Sequence, residues 1–172
     1  MIEILILYTL HKREKTLYAI RKDIIDVFGT FTRPSIGTIY PALKRLLKEE
    51  AVTVREKMSD GGKKSSYYSI TNKGLVLFRK LFFSAASENP SIFYNQLQAR
   101  LGTMGLLSVE DRKEFVKEFL RKIDIYQFEL ERKLKDEFLE PDYYQRRLLD
   151  KNFAELESLK EFISSLKVDH AG

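Results

Sequence analysis

The sequence predicts a mainly α-helical fold with one small β-hairpin, and three observations predict it. Apolar residues recur at intervals of three and four along most of the 172 residues, the spacing of one helix face. Only two short runs alternate in the β manner, Val52-Thr53-Val54-Arg55 and Tyr67-Tyr68-Ser69-Ile70. Between them lies Ser59-Asp60-Gly61-Gly62-Lys63-Lys64-Ser65, a turn-rich basic loop of the kind that closes a hairpin.

Taken in order, Ile2 to Leu10 is nearly all apolar and reads as a buried first helix. Nine residues are too few to span a bilayer, and no cleavage site or positive leader accompanies them. Thr16 opens a second helix in which Leu17, Ile20, Ile24 and Val27/Phe28 share a face, and Gly29 closes it. Six residues, Gly29 to Pro34, turn the chain into a third helix that starts at Ser35, whose hydroxyl can cap the first free N–H groups. At about 100° per residue, Ile36, Ile39, Leu43, Leu46 and Leu47 gather on one side of that helix, with Thr38, Pro41, Lys44, Arg45 and Lys48 around the other. Pro41 removes the bond to the residue-37 carbonyl and crowds it, so the helix is expected to bend, with Gly37 leaving room for the conflict. After the hairpin, Thr71-Asn72-Lys73-Gly74 starts a fourth helix with Leu75, Phe78, Leu81 and Phe82 on one face.

A short helix with one cationic, polar face, placed before a strand–basic loop–strand unit, is the order of a winged helix-turn-helix. Such a unit lays its last helix in the major groove of DNA. The charge agrees. Residues 1–80 hold 16 Lys and Arg against 8 Asp and Glu, a net of +8, whereas residues 81–172 hold 14 against 17, a net of −3. The excess therefore sits wholly in the candidate DNA reader, as phosphate binding requires. An ordinary solvated helix surface would also carry charge, but without this motif beside it.

Candidate DNA-binding residues follow from position. Ser35, Thr38 and Tyr40 occupy the first turns of the third helix, where side chains meet base edges. Tyr40 flanks the apolar face, so packing against the second helix and touching DNA are both open to it. Lys44 can reach a phosphate beside the groove, whereas Arg45 and Lys48 can be simply solvated. Arg33 and Tyr18 stand at the entrance of the helix-turn-helix as phosphate partners, and Lys63 and Lys64 should follow the backbone in the adjacent minor groove. In the second strand Tyr68 and Ile70 should point inward, Tyr67 and Ser69 outward.

The run Gly37-Thr38-Ile39-Tyr40-Pro41-Ala42-Leu43-Lys44-Arg45-Leu46 resembles the signature of PadR-type transcriptional regulators. Gly61 to Gly74 resembles that family's wing and following strand, and Tyr18 stands where the family carries a tyrosine in its second helix. The match covers roughly residues 1–82. It implies a dimeric winged-helix repressor whose carboxy-terminal helices dimerise and often sense a small molecule. The chain departs from the pattern in three places. Leu17 replaces a common glycine, and Ala51 stands where a glycine usually ends the recognition helix, so that helix must end by another route. The wing has Lys63 and Lys64 where arginines are frequent, which removes the bidentate fork.

The second half reads as helical and interactive. Asn89-Pro90-Ser91 marks a boundary between a winged-helix domain, 1–88, and a helical dimerisation and effector-sensing domain, 89–172. A helix from about Ile92 to Gly102 carries Ile92, Phe93, Leu97 and Leu101 and is expected to break at Gly102 and Gly105. Ser108 caps a long helix whose seam is Val116, Phe119, Ile123, Tyr126 and Leu130, running on through Leu134 and Phe138 to Leu139. Beyond Pro141 a last helix carries Leu149, Phe153, Leu156, Leu159, Ile163 and Leu166. An intramolecular hairpin can bury one seam against the other. Phe115, Leu120 and Phe162 widen the stripes and favour homodimerisation, with Val116, Phe119, Ile123, Tyr126, Leu130, Phe153, Leu156 and Ile163 as its residues. Dimerisation would double the contacts of one winged helix at a half-site spacing of about one helical turn.

The expected partners are thus double-stranded operator DNA and a second copy of the chain. A small aromatic or hydrophobic effector is compatible with the resemblance, but no sequence feature defines its site. Phe82, Phe83, Phe93 and Tyr94 could line a pocket, although aromatics at helical spacing more often form core. Without cysteine there is no disulfide or thiol chemistry, and His11 and His170 cannot form a metal cluster with near neighbours. No nucleophile–base–acid set or phosphate-cradling glycine loop appears, so neither an enzyme nor a bound cofactor is expected, and nothing suggests membrane insertion. A cytoplasmic DNA-binding regulator, acting as a repressor, is the reading. The alternative is a winged-helix module whose long helices bind another protein without specific DNA binding.

Overall fold

The computed structural model describes residues 1–58, 62, 64–85, 87, 90–136 and 140–170, with Pro90 and Ser91 described by backbone alone. The described residues form two compact units, Met1–Leu107 and Ser108–Gly172. The first is a winged helix. Helices α1 (Ile2–His11), α2 (Leu17–Phe28) and α3 (Ile36–Lys48) precede a hairpin of β1 (Val52–Met58) and β2 (Lys64–Ile70), then α4 (Asn72–Phe82) and α5 (Pro90–Thr103).

The core is built around α1, whose Ile4, Leu5, Ile6, Leu7 and Leu10 are buried, together with Ile20, Ile24, Phe28, Ile39, Leu43, Leu46 and Phe78. A run this apolar forms a helix hydrophobic nearly all round, and α2, α3, α4 and α5 all pack on it. The starts of α2, α3 and α4 are fixed locally. Thr16 accepts the N–H of Ala19 at 3.3 Å, Ser35 that of Thr38 at 3.2 Å, and Thr71 that of Gly74 at 3.1 Å.

The hairpin is antiparallel, with Val52 opposite Ile70 and Val54 opposite Tyr68. Its sheet gains a third edge from the α1–α2 loop. Lys15 and Tyr68 exchange backbone bonds of 3.0 and 2.8 Å, and the Lys15 ammonium is buried against Asp23. Tyr68 points inward and is buried, as its two-residue period requires, and Ile70 is half-buried. Tyr67 and Ser69, expected outward, are half-buried as well.

Four details depart from the sequence reading. The boundary placed at Asn89-Pro90-Ser91 falls within the first unit, with Glu88 and Asn89 themselves outside the described residues; α5 packs on α1 and joins the winged helix. Gly102 does not break α5. It lies within the helix, and a Cβ there would stand 2.5 Å from the Phe28 ring, which makes it a packing position between α5 and α2. On α4 the buried stripe is Gly74, Phe78 and Phe82, and Leu75 is exposed. Gly74 is where α4 meets the base of the hairpin, since a Cβ there would come within 2.2 Å of the Ala51 carbonyl oxygen and 2.7 Å of an Ile70 side-chain carbon. Finally, Ile92 is exposed while Phe93, Leu97 and Arg100 form the buried face of α5. The Arg100 guanidinium donates to the Ser84 carbonyl at 2.7 Å, just past the negative end of the α4 dipole, and burial lowers its pKa.

The second unit pairs α6 (Val109–Leu134) with α7 (Tyr143–Ser164). Ser108 accepts the Asp111 N–H at 3.1 Å, and Asp142 with Gln145 forms a reciprocal capping box of 2.9 and 3.0 Å. Ile123 and Ile163 are fully buried within this single chain. Arg112 ties the tail to α6 through the Val168 and His170 carbonyls. Phe138 and Leu139 lie outside the described residues.

Candidate nucleic-acid interface

Helix α3 turns one stripe inward and another outward. Ile39, Ala42, Leu43 and Leu46 are buried, and Ile36 and Leu47 are half-buried. Gly37, Thr38, Tyr40, Pro41, Lys44 and Lys48 are exposed. Gly37, Pro41, Lys44 and Lys48, spaced by four, three and four, make one ridge along the outer side. Ser35 does more than cap. Its hydroxyl also stands 3.1 Å from that of Thr38, so the two form one polar unit at the helix start. Gly37 is not what accommodates Pro41. The ring conflicts with the residue-37 carbonyl, and a Cβ at 37 would have Ser35 Oγ, at 3.5 Å, as its nearest neighbour.

Tyr40 is 43% exposed, so it belongs to the surface rather than the core. The Lys44 ammonium lies 4.8 Å above its ring, and this cation–π contact holds both side chains on the outer face. Beside it, Tyr68 has a raised pKa, chiefly through burial and secondarily through Tyr40. Tyr18 is 74% exposed on the first turn of α2. Arg33 donates to the Gly29 carbonyl at 3.0 Å, and Arg21 to the Pro34 carbonyl at 3.1 Å, which together hold the turn leading into α3.

The cations divide into two sets. Arg45, off the ridge, is bound to Glu3 of α1 at 2.8 Å. In the hairpin, Arg55 and Lys57 share Glu14 of the α1–α2 loop, and Lys64 pairs with Glu56. Those two cations hold the Glu14 carboxyl down to about 2, and Glu14 raises the Arg55 pKa in return. By contrast Arg33, Lys44 and Lys48 have no carboxylate partner among the described residues. Lys63 lies outside the described residues.

The end of α3 shows the route that Ala51 requires. Glu50 adopts φ 57°, the left-handed conformation usually left to glycine. Ala51 N–H then reaches the Leu46 carbonyl at 2.9 Å and Glu50 N–H the Leu47 carbonyl at 3.0 Å. Thr71 donates its hydroxyl to the Glu50 carbonyl at 2.7 Å, and Lys73 pairs with its carboxylate, which lowers the Glu50 pKa.

A family model of the PadR-like transcriptional regulators matches residues 6–80, which run from within α1 through most of α4. Over that stretch the chain belongs to the PadR-like family of transcriptional regulators. No curated protein matches the sequence. Among solved structures the chain is similar to PadR of Bacillus subtilis in complex with operator DNA, at 20% identity over 95% of this chain and 93% of that one, TM-score 0.47. It is similar to a PadR-like transcriptional regulator from Bacillus cereus at 36% identity over 45% of this chain and 74% of that one, TM-score 0.40. A PadR family transcription regulator from Clostridium difficile shares 29% identity over 46% and 81%, TM-score 0.41.

Outside the PadR-like stretch, the residues expected at a dimer interface divide by burial. Phe119, Ile123 and Ile163 are buried within one chain, and Val116, Tyr126, Leu130, Phe153 and Leu156 are half-buried. Phe115, expected to widen the stripe, is buried, whereas Phe162 is exposed. The sequence reading missed Ile125, Phe128, Tyr143, Tyr144 and Leu148, all of them exposed. Ile125 and Phe128 lie outside the three-and-four repeat through which the seam is read. Among the described residues no cluster of three or more His, Asp or Glu is placed to hold a metal, and no helix is long and apolar enough to cross a membrane.

Proposed function

We propose that this PadR-like regulator binds double-stranded operator DNA as a homodimer, with α3 of each copy in the major groove and the hairpin along the adjacent backbone. The observation that carries the reading is the partition of cations on α3. Lys44 and Lys48 stand unpaired on the outer ridge, whereas Arg45 beside them is neutralised by Glu3. Cations left free along the outward stripe of α3 are available to neutralise phosphates. Ser35, Thr38 and Tyr40 face bases on this reading, and Tyr18, Arg33, Lys44, Lys48 and Lys63 face phosphates; Lys64, paired with Glu56, must give up that pair to do the same. The exposed Ile125, Phe128, Leu148 and Phe162, with the half-buried seam, form the surface covered by the second copy. Repression, at sites overlapping a promoter, and release by a small molecule complete the proposal, on the family resemblance alone.

Selection of bound sequences from a random duplex library tests DNA binding, two-fold symmetry and half-site spacing together. A pair of half-sites one or more helical turns apart is expected. The rival, a protein-binding module whose exposed helix residues meet another protein, would yield no enriched sequence and only polyanion-level binding.

A further inference from the structure

Gly37 has no reason within its own chain to be glycine. It is exposed in the first turn of α3, its φ is not positive, and a Cβ there would meet Ser35 Oγ alone, at an ordinary 3.5 Å. Glycine in an exposed helix position loses stability relative to alanine, through the extra freedom of the unfolded chain. Gly74 and Gly102 each have a close neighbour inside the fold; Gly37 has only an ordinary contact with Ser35 Oγ. One turn on, the same ridge carries Pro41, also exposed. These two side-chain-poor positions make a shallow stretch between the Ser35–Thr38 hydroxyls and the free ammonium groups of Lys44 and Lys48.

We infer that Gly37 is kept bare for a base edge, so that α3 seats with its backbone against the floor of the major groove. The inference rests on the DNA-binding reading above and deepens it. Thr38 and Tyr40 flank the bare stretch, and a short hydroxyl such as that of Thr38 reaches a base only if the helix axis lies close to it. A methyl group at position 37 would hold the helix off by its own thickness and lengthen those contacts. It would leave the phosphate contacts, made by long flexible side chains, nearly intact.

The test compares wild type with Gly37→Ala in two measurements. One is thermal unfolding; the other is fluorescence anisotropy with the duplex selected by wild type and with a scrambled duplex of equal length. The melting temperature should rise by about 1–4 °C, from the gain in helix propensity. Affinity for the selected duplex should fall at least about tenfold, and that for the scrambled duplex less than about twofold, as expected when base contacts and not phosphate contacts are lost. Unchanged affinity for the selected duplex overturns the inference. Equal losses on both duplexes overturn it too, since Gly37 would then face the sugar–phosphate backbone. A lowered melting temperature would show that the glycine serves the fold. Should wild type itself select no duplex, the DNA-binding reading falls first.

Discussion

Lys44→Gln separates a groove-facing α3 from a merely solvated one, because the structure fixes how the loss should depend on salt. The Lys44 ammonium lies on the outer ridge over Tyr40, with no carboxylate partner among the described residues, and the proposed function gives it DNA phosphate as its counter-charge. A two-fold dimer loses two such contacts per site. Each neutralised phosphate contributes about 0.9 to the slope of log affinity against log salt, so the variant's slope should be shallower by about 1.8. Between about 50 and 200 mM salt, the penalty of the substitution should therefore shrink by roughly tenfold. Arg45→Gln supplies the comparison. Arg45 is one residue away and of equal charge, but it is bound to Glu3 at 2.8 Å, and its slope should match wild type. Anisotropy titrations of the selected duplex at four salt concentrations read both slopes. Parallel lines for wild type and Lys44→Gln would refute the placement of Lys44 on phosphate. A larger slope change for Arg45→Gln would show that the ridge has been assigned to the wrong side of the helix.

Further predictions concern the frame that presents this face. Gly74→Ala puts a Cβ 2.2 Å from the Ala51 carbonyl oxygen and 2.7 Å from an Ile70 side-chain carbon, so α4 must move off the sheet. An overpacking cost of about 1–3 kcal/mol and a weakened Thr71-to-Ala51 backbone bond outweigh a propensity gain of about 1 kcal/mol. A fall in melting temperature is expected; a rise would contradict the close approach. Glu50→Gly should raise the melting temperature, since removing a left-handed non-glycine residue gains about 1 kcal/mol and outweighs a lost surface ion pair with Lys73. Glu14 sets a pH dependence. Its folded pKa, about 2, lies below the ordinary 4.5, so its contribution is fully present above 4.5 and is lost as pH falls towards 2. Wild type should be more stable than Glu14→Gln at pH 6, and urea unfolding curves of the two should converge towards pH 2. A constant gap down to pH 2 would mean that Glu14 acts through something other than its charge.

What the sequence made legible was local, and what it hid was long-range. The capping residues Thr16, Ser35, Thr71 and Ser108 announce their helices, because a hydroxyl three residues before a free N–H needs no distant partner. Ala51 signalled that α3 must end without a glycine, but not that Glu50 would take the left-handed turn, which Thr71 and Lys73, far along the chain, hold in place. The pairing of Arg45 with Glu3 and of Glu14 with Arg55 and Lys57 was equally invisible, since each joins residues some forty positions apart. Gly102 reads as a helix breaker by propensity, yet packing against Phe28 overrides that. The α6 and α7 seams were visible as apolar repeats. Periodicity could not say that Ile123 and Ile163 would be consumed within one chain while Phe128 stayed exposed.

Localised strand cleavage tests the central claim most directly. The chain has no cysteine, so Lys48→Cys provides a unique attachment point for an iron chelate at the end of the outer ridge of α3. With the selected duplex bound, the account predicts two clusters of cleavage facing the major groove, one in each half-site. No localised cleavage from that position, or an equal pattern from a chelate at exposed Lys22 on α2, would contradict it.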